Sequence, residues 1–141
     1  MGVILDSSVL IADERGRFDL PALFRARAGE EFFIAAITAS ELLHGVERAN
    51  TPERREKRSL YVEGVLRKLP VIDFELAVAR RHARLWAELE VAGRVIGPHD
   101  LLIAATALDQ GHSVATLNEA EFASVPGLRL ENLSAFVVAR N

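Results

Sequence analysis

Short unbroken apolar runs alternate along this chain with stretches in helical spacing. Val3-Ile4-Leu5 and Phe32-Phe33-Ile34-Ala35-Ala36-Ile37 are continuous runs of the kind buried on both faces of a parallel sheet. They predict strands over 3–5 and 32–37. Further strands are expected over 113–116 and 128–130, with a short edge strand at 69–72, where Pro70 lacks a donor. Helices fill the intervals: a turn through Val9-Leu10-Ile11, a helix around 21–27, and one opened by Thr38-Ala39-Ser40-Glu41 that Gly45 or Asn50 would end. Thr51-Pro52-Glu53 starts a helix to Lys68, with an N-cap threonine, proline at N1 and an acid in the first turn. Asp73 is read as the cap of a long helix ending near Gly93. Gly97-Pro98 precedes an apolar helix over 99–110 stopped by Gly111, and a short helix covers 119–123. No repeat, low-complexity tract or linker interrupts the alternation. It predicts a single α/β domain over residues 1–141, with a central parallel sheet flanked by helices.

Composition narrows the class. The 141 residues are 50% hydrophobic and 26% charged, which is globular composition. Cysteine is absent, which excludes a disulfide framework and a thiolate metal site. The opening Met1-Gly2-Val3-Ile4-Leu5-Asp6 has no positive n-region or cleavage site, and no segment approaches the roughly 18 apolar residues of a membrane span. A soluble, cytoplasmic protein with no membrane contact is the expectation. The net charge of −3 excludes a general nucleic-acid coat but not a local basic surface. No Gly-x-x-x-x-Gly-Lys or Gly-x-Gly-x-x-Gly motif supports a nucleotide enzyme.

Three acids carry the candidate chemistry. Asp6 closes the first apolar run, Glu41 follows the second by one turn, and Asp100 opens the apolar helix. In parallel α/β sheets, ligands bind at the carboxyl edge of the strands, so acids scattered over about a hundred residues would meet in one crevice. Crowded carboxylates resist ionising unless a cation neutralises them, which points to a divalent metal and to phosphate chemistry. Taken singly, each acid has a plain structural reading. Thr38 and Glu41 spell a capping box, Asp6 an N-cap, and Asp100 a first-turn acid facing the helix dipole. Thr116-Leu117-Asn118-Glu119 adds another polar strand-to-helix junction that also spells a capping box. There Asn118 offers a neutral oxygen, and Glu119 or Glu121 a further charge.

The residues that carry these readings resemble those of PIN-domain nucleases, specifically the VapC-type toxins of bacterial toxin–antitoxin pairs. The matching stretches are Asp6-Ser7-Ser8-Val9-Leu10-Ile11, Ala36-Ile37-Thr38-Ala39-Ser40-Glu41-Leu42, Ile96-Gly97-Pro98-His99-Asp100-Leu101-Leu102, and Ala115-Thr116-Leu117-Asn118-Glu119-Ala120-Glu121-Phe122. Their order and spacing span nearly the whole chain. The resemblance implies a PIN-like fold and a metal-dependent endoribonuclease toxin. It implies Mg2+, with Mn2+ as the alternative ion, held by Asp6, Glu41 and Asp100. Ser7 and Thr116 match its small hydroxyl positions. Asn118 stands where many members carry aspartate, which puts a second metal ion in doubt. It further implies an RNA substrate, with transfer RNA as the family-level class, inhibition by a cognate VapB-type antitoxin, and a homodimer.

Other residues rank lower. His99, beside Asp100, and Arg94, close to it in sequence, are candidates to touch substrate phosphate. The clusters Arg54-Arg55-Glu56-Lys57-Arg58 and Arg80-Arg81…Arg84 read first as solvated helix faces. The apolar faces Leu42-Leu43-Val46 and Val62-Val65-Leu66 are candidates for an antitoxin groove, with core packing as the equal alternative. Phe136-Val137-Val138 is read as an interface element or the last core segment. Glu41-x-x-His44 has the i, i+3 spacing of di-iron bundles, but the strands do not fit a four-helix bundle. A receiver domain would need paired acids after the first strand and a late lysine, and no lysine follows Lys68. The remaining alternatives are a catalytically weak PIN-like module that binds RNA or protein, and an RNA-processing nuclease without an antitoxin.

Overall fold

The computed structural model describes residues 2–139. A parallel sheet of four strands, ordered β3-β2-β1-β4, forms its centre. The strands are β1 (Gly2–Leu5), β2 (Glu31–Ala35), β3 (Val71–Ile72) and β4 (Ser113–Ala115). β1 lies between β2 and β4 and is buried along its whole length, with Val3 opposite Phe32 and Ile4 opposite Val114. The two-residue alternation of a strand sorts its side chains to the two faces. Val3, Leu5, Ile34 and Ala115 join one core cluster, while Ile4, Ala35 and Val114 join the other.

Helices cover both faces. α1 (Ser7–Glu14), α2 (Leu20–Ala26), α3 (Ala36–Glu47) and α4 (Pro52–Lys68) supply Val9, Leu10, Leu23, Leu42, Val62 and Val65 to the first cluster. α5 (Leu76–Val91), α6 (Pro98–Gln110) and α7 (Glu119–Phe122) supply Leu85, Leu89, Ile103, Ala104 and Phe122 to the second. No helix among the described residues is long and apolar enough to cross a membrane.

Several helix ends follow their local chemistry. The Thr51 hydroxyl accepts the Arg54 amide, and Pro52 occupies the first turn, as the sequence predicts. Gly111 closes α6 in the left-handed region at φ 71°, a conformation that disfavours side chains bearing a Cβ. Arg55 and Arg58 of α4 donate to the carbonyls of Glu47 and Gly45, which meets part of the demand of the α3 C-terminus. That gives two of the clustered arginines a structural task.

The structure corrects four readings. The strand expected over 32–37 stops at Ala35, and Ala36 and Ile37 already belong to α3. An unbroken apolar run does not mark where strand gives way to buried helix. α3 then runs through Gly45 to Glu47. The long helix α5 is preceded by Glu75 as N-cap, not Asp73. The strand expected over 128–130 is a single bridge between Leu130 and Val114. Of the apolar faces, Leu42, Val62 and Val65 are buried, with Val46 and Leu66 packed against them and Leu43 exposed, while Leu42 and Val62 also line a cavity between α1, α3 and α4. Phe136 packs on Phe18 as the last core segment, and Val137 and Val138 stay exposed.

Candidate active site

All the candidate acids lie at the carboxyl edge of the sheet. Asp6 follows the central strand directly, Glu41 sits one turn into α3, and Thr116 to Asn118 follow β4. α6 leads into β4 and so begins at the same edge, carrying Asp100 in its first turn. Asp6, Glu41, Asp100 and Asn118 line one open cavity of about 350 Å³ together with Ser7 and His99.

Asp6 is 2% exposed, a burial that demands partners for its carboxylate. Asp6 does stand at the N-cap of α1, but its side chain makes no hydrogen bond to the α1 amides. Instead Oδ2 accepts from the Thr116 hydroxyl at 2.8 Å and from the Ser8 hydroxyl at 2.7 Å. Each hydroxyl is itself oriented by a backbone amide. Leu117 N–H donates to Ser8 Oγ at 3.1 Å and Asn118 N–H to Thr116 Oγ1 at 3.0 Å. Chains of this kind strengthen the terminal bond and fix the carboxylate. Ser8 was missed by the sequence reading, which singled out Ser7. Position i+2 from a helix-opening aspartate was the available signal, since Asp side chains bond hydroxyls and amides at that spacing. Ser7 lines the cavity without such a bond among the described residues.

Glu41 shows an unmet demand. The capping box fails because Thr38 lies inside α3, whose N-cap is Ala35. Glu41 Oε2 stands 3.3 Å from His99 Nδ1, while Oε1 is buried with no partner, as is Thr38 Oγ1. Asp100 is pushed up from the ordinary carboxylate range to about 6. Burial is the main cause, followed by the neighbouring charges of Asp6, Glu121 and Glu41, with His99 opposing them.

The fourth junction differs from expectation. The N-cap of α7 is Asn118, so Thr116 and Glu119 form no capping box, and Thr116 serves Asp6 instead. Glu119 is exposed, whereas Glu121 Oε1 accepts the Gly97 amide and adds its charge to Asp100. A Cβ on Gly97 would come within 3.2 Å of that Glu121 oxygen and 3.7 Å of Asp100 Oδ2, so a larger residue here would displace the Glu121 carboxylate by a few tenths of an ångström. Arg94 is not among the residues lining the cavity. Its guanidinium donates to the Ser124 carbonyl at 3.0 Å and ties the α5–α6 turn to α7.

An oxygen donor set of this kind suits a hard divalent cation. The buried, unpartnered Glu41 Oε1 and the raised Asp100 are what such an ion would satisfy. Among the described residues, no three histidine, aspartate or glutamate side chains close on one point tightly enough to enclose an ion by themselves. Magnesium asks for less, since it commonly takes one or two carboxylates and completes its shell with water and substrate phosphate.

A parallel sheet with acids gathered at its carboxyl edge is the architecture of the PIN domain, and that family matches residues 3–128. Ribonuclease VapC1 of Rickettsia felis is 35% identical over 135 residues, covering 96% of this chain and 98% of the relative. The tRNA(fMet)-specific endonuclease VapC of Shigella flexneri is 33% identical, covering 93% of this chain and 97% of the relative. Among solved structures, VapBC2 from Rickettsia felis bound to a DNA fragment from its promoter superposes with a TM-score of 0.84 at 28% identity, covering 94% of this chain and 98% of that one. The chain belongs to the PIN domain family, in its VapC ribonuclease branch.

Proposed function

We propose that this protein is a metal-dependent endoribonuclease toxin that hydrolyses RNA phosphodiester bonds and is held in check by a cognate VapB-type antitoxin. One observation carries the reading: Asp6, Glu41 and Asp100 share a single cavity in which one carboxylate oxygen has no partner and one acid resists ionising. The relatives named as ribonucleases and the VapBC complex support it. The substrate class is transfer RNA, following the name of the Shigella flexneri relative.

Asp6, Glu41 and Asp100 would hold Mg2+ or Mn2+. When bound, such an ion neutralises the acids, lowers the pKa of water and draws charge from the phosphate. The protein's own part is positioning. Ser8 and Thr116 hold Asp6 in one orientation, and Glu121 fixes the Gly97 turn from which Asp100 projects. Water attacks phosphorus in line, the bond to the leaving oxygen breaks, and no covalent enzyme intermediate forms. Self-association as a homodimer belongs to the same reading, and the half-exposed rings of Phe74 and Trp86 offer apolar surface for it.

The test is sequencing of new RNA 5′ ends after brief induction of the wild type and of Asp100→Asn. Discrete ends found only with the wild type, and suppressed by co-expressed antitoxin, are expected. Identical profiles from two folded proteins would overturn the nuclease reading in favour of a binding module. Ends that antitoxin does not suppress would remove the toxin reading and leave an RNA-processing nuclease.

A further inference from the structure

The acidic cavity does not end at the acids. Ser7, Glu41 and His99 are shared with a second cavity of about 420 Å³ between α1, α3 and α4. Its charge is of the opposite sign. Arg15 at the end of α1, Arg48 at the end of α3 and Arg58 on α4 all line it, with Glu14 as the one acid besides Glu41. Arg58 is half-buried and anchored on the Gly45 carbonyl, whereas Arg15 and Arg48 are exposed. Among the described residues none of the three forms an ion pair with a carboxylate, so their charge is not cancelled locally.

We propose that this groove is the track for the RNA backbone on one side of the cut, with Arg15 and Arg48 binding phosphates that flank the scissile one. The inference rests on the nuclease reading and adds to it the path of the substrate. A chain carrying one negative charge per nucleotide is repelled by a cluster of acids and needs compensating cations beside it. Unpaired guanidinium groups, whose planar forks match phosphate oxygens, provide them. The lining contains no phenylalanine, tyrosine or tryptophan, and its rings are the imidazoles of His44 and His99, so guanidinium groups and not large aromatic faces dominate it. The groove is therefore built chiefly to grip backbone, and target choice lies in the shape of the RNA and in contacts nearer the acids.

The test uses Arg15→Gln and Arg48→Gln, with Arg80→Gln and Arg84→Gln as exposed controls on α5, across the sheet. Binding of bulk transfer RNA is measured against salt in the cleavage-deficient Asp100→Asn protein. Each groove arginine removed should take about 0.7 off the slope of log K against log salt, so a fourfold rise in salt weakens binding about 2.6-fold less. In the wild-type background the loss should fall on KM more than on kcat. Slopes unchanged by the groove variants, or lowered equally by the α5 controls, would overturn the track while cleavage by the wild type leaves the nuclease reading standing. Groove variants that escape antitoxin inhibition but keep their RNA slopes would make the groove a protein-docking site, also overturning it. A wild type that neither binds nor cleaves RNA would remove both readings together.

Discussion

The two edges of one sheet treat buried polar groups in opposite ways. At the amino edge, His112 Nδ1 accepts the Gly2 amide at 2.8 Å, and its ring stacks on Phe33 at 4.8 Å with 14° between the planes. Burial, assisted by Arg129, holds this imidazole below its ordinary pKa, so it stays neutral as its hydrogen bond requires. At the carboxyl edge, Glu41 has a buried oxygen with no partner, and Asp100 is driven toward the protonated form by burial and then by the charges of its neighbours. The same strands thus end in a satisfied arrangement on one side and a frustrated one on the other. Polar groups left in want of a partner mark the edge where a ligand is to arrive.

Removing an acid at the carboxyl edge should cost the most function. Asp6→Asn and Asp100→Asn should each lower RNA cleavage by more than about a hundredfold, beyond the typical cost of losing an outer-shell partner. Unchanged turnover in either, measured on a defined RNA, would detach the acids from the chemistry. One level out, Ser8→Ala and Thr116→Val each remove one of the two hydroxyls on Asp6 Oδ2. Metal affinity or activity should fall about 10- to 100-fold in each. The same pair of variants, followed by calorimetric titration of Mg2+, separates a binding loss from a catalytic one.

The two edges should also oppose each other on titration. The folded pKa of Asp100 is raised, so the native state binds more protons than the unfolded chain between about 4 and about 6. Its contribution is full below that window and lost as pH rises through it. At this partly exposed site it amounts to at most about 1 kcal/mol after screening. His112 is lowered, so its contribution is full above 6.5 and is lost as pH falls below that value. Thermal melts of metal-free protein should show Asp100→Asn steepening the rise of stability with pH and His112→Asn flattening it. Slopes that shift the same way would break the contrast. The smallest effect belongs to Thr38, whose buried hydroxyl has no partner. Thr38→Val should be neutral or stabilising by about 1 kcal/mol in a denaturant titration, since it removes an unpaired polar atom at similar volume.

The amino-acid pattern revealed the edge more readily than its wiring. Strand-and-helix alternation placed Asp6, Glu41, Asp100 and Asn118 at one end of a parallel sheet, because topology alone decides where such junctions lie. The start of α4 and the stop of α6 were legible because threonine, proline and glycine act locally. What stayed hidden depended on partners distant in sequence. The choice of Ser8 over Ser7 is made by Leu117 and Asp6 together, and the choice of Glu121 over Glu119 by the Gly97 amide. Arg94 lies near Asp100 along the chain, yet its guanidinium bonds at Ser124 outside the acidic cavity, a placement that sequence distance does not show. The end of β2 was obscured because alanine and isoleucine continue an apolar run whether extended or helical.

The central strand is made well before its neighbour β4. Asp6 waits 110 residues for the hydroxyl of Thr116, and Glu121 reaches Gly97 only from beyond that strand. A ribosome that has made only the first three strands therefore carries the first acids without the groups that orient them. Competence arrives once the last strand of the sheet docks beside the first. Until that docking the nascent chain lacks a finished active site, so a partner made at the same time has an interval in which to be ready.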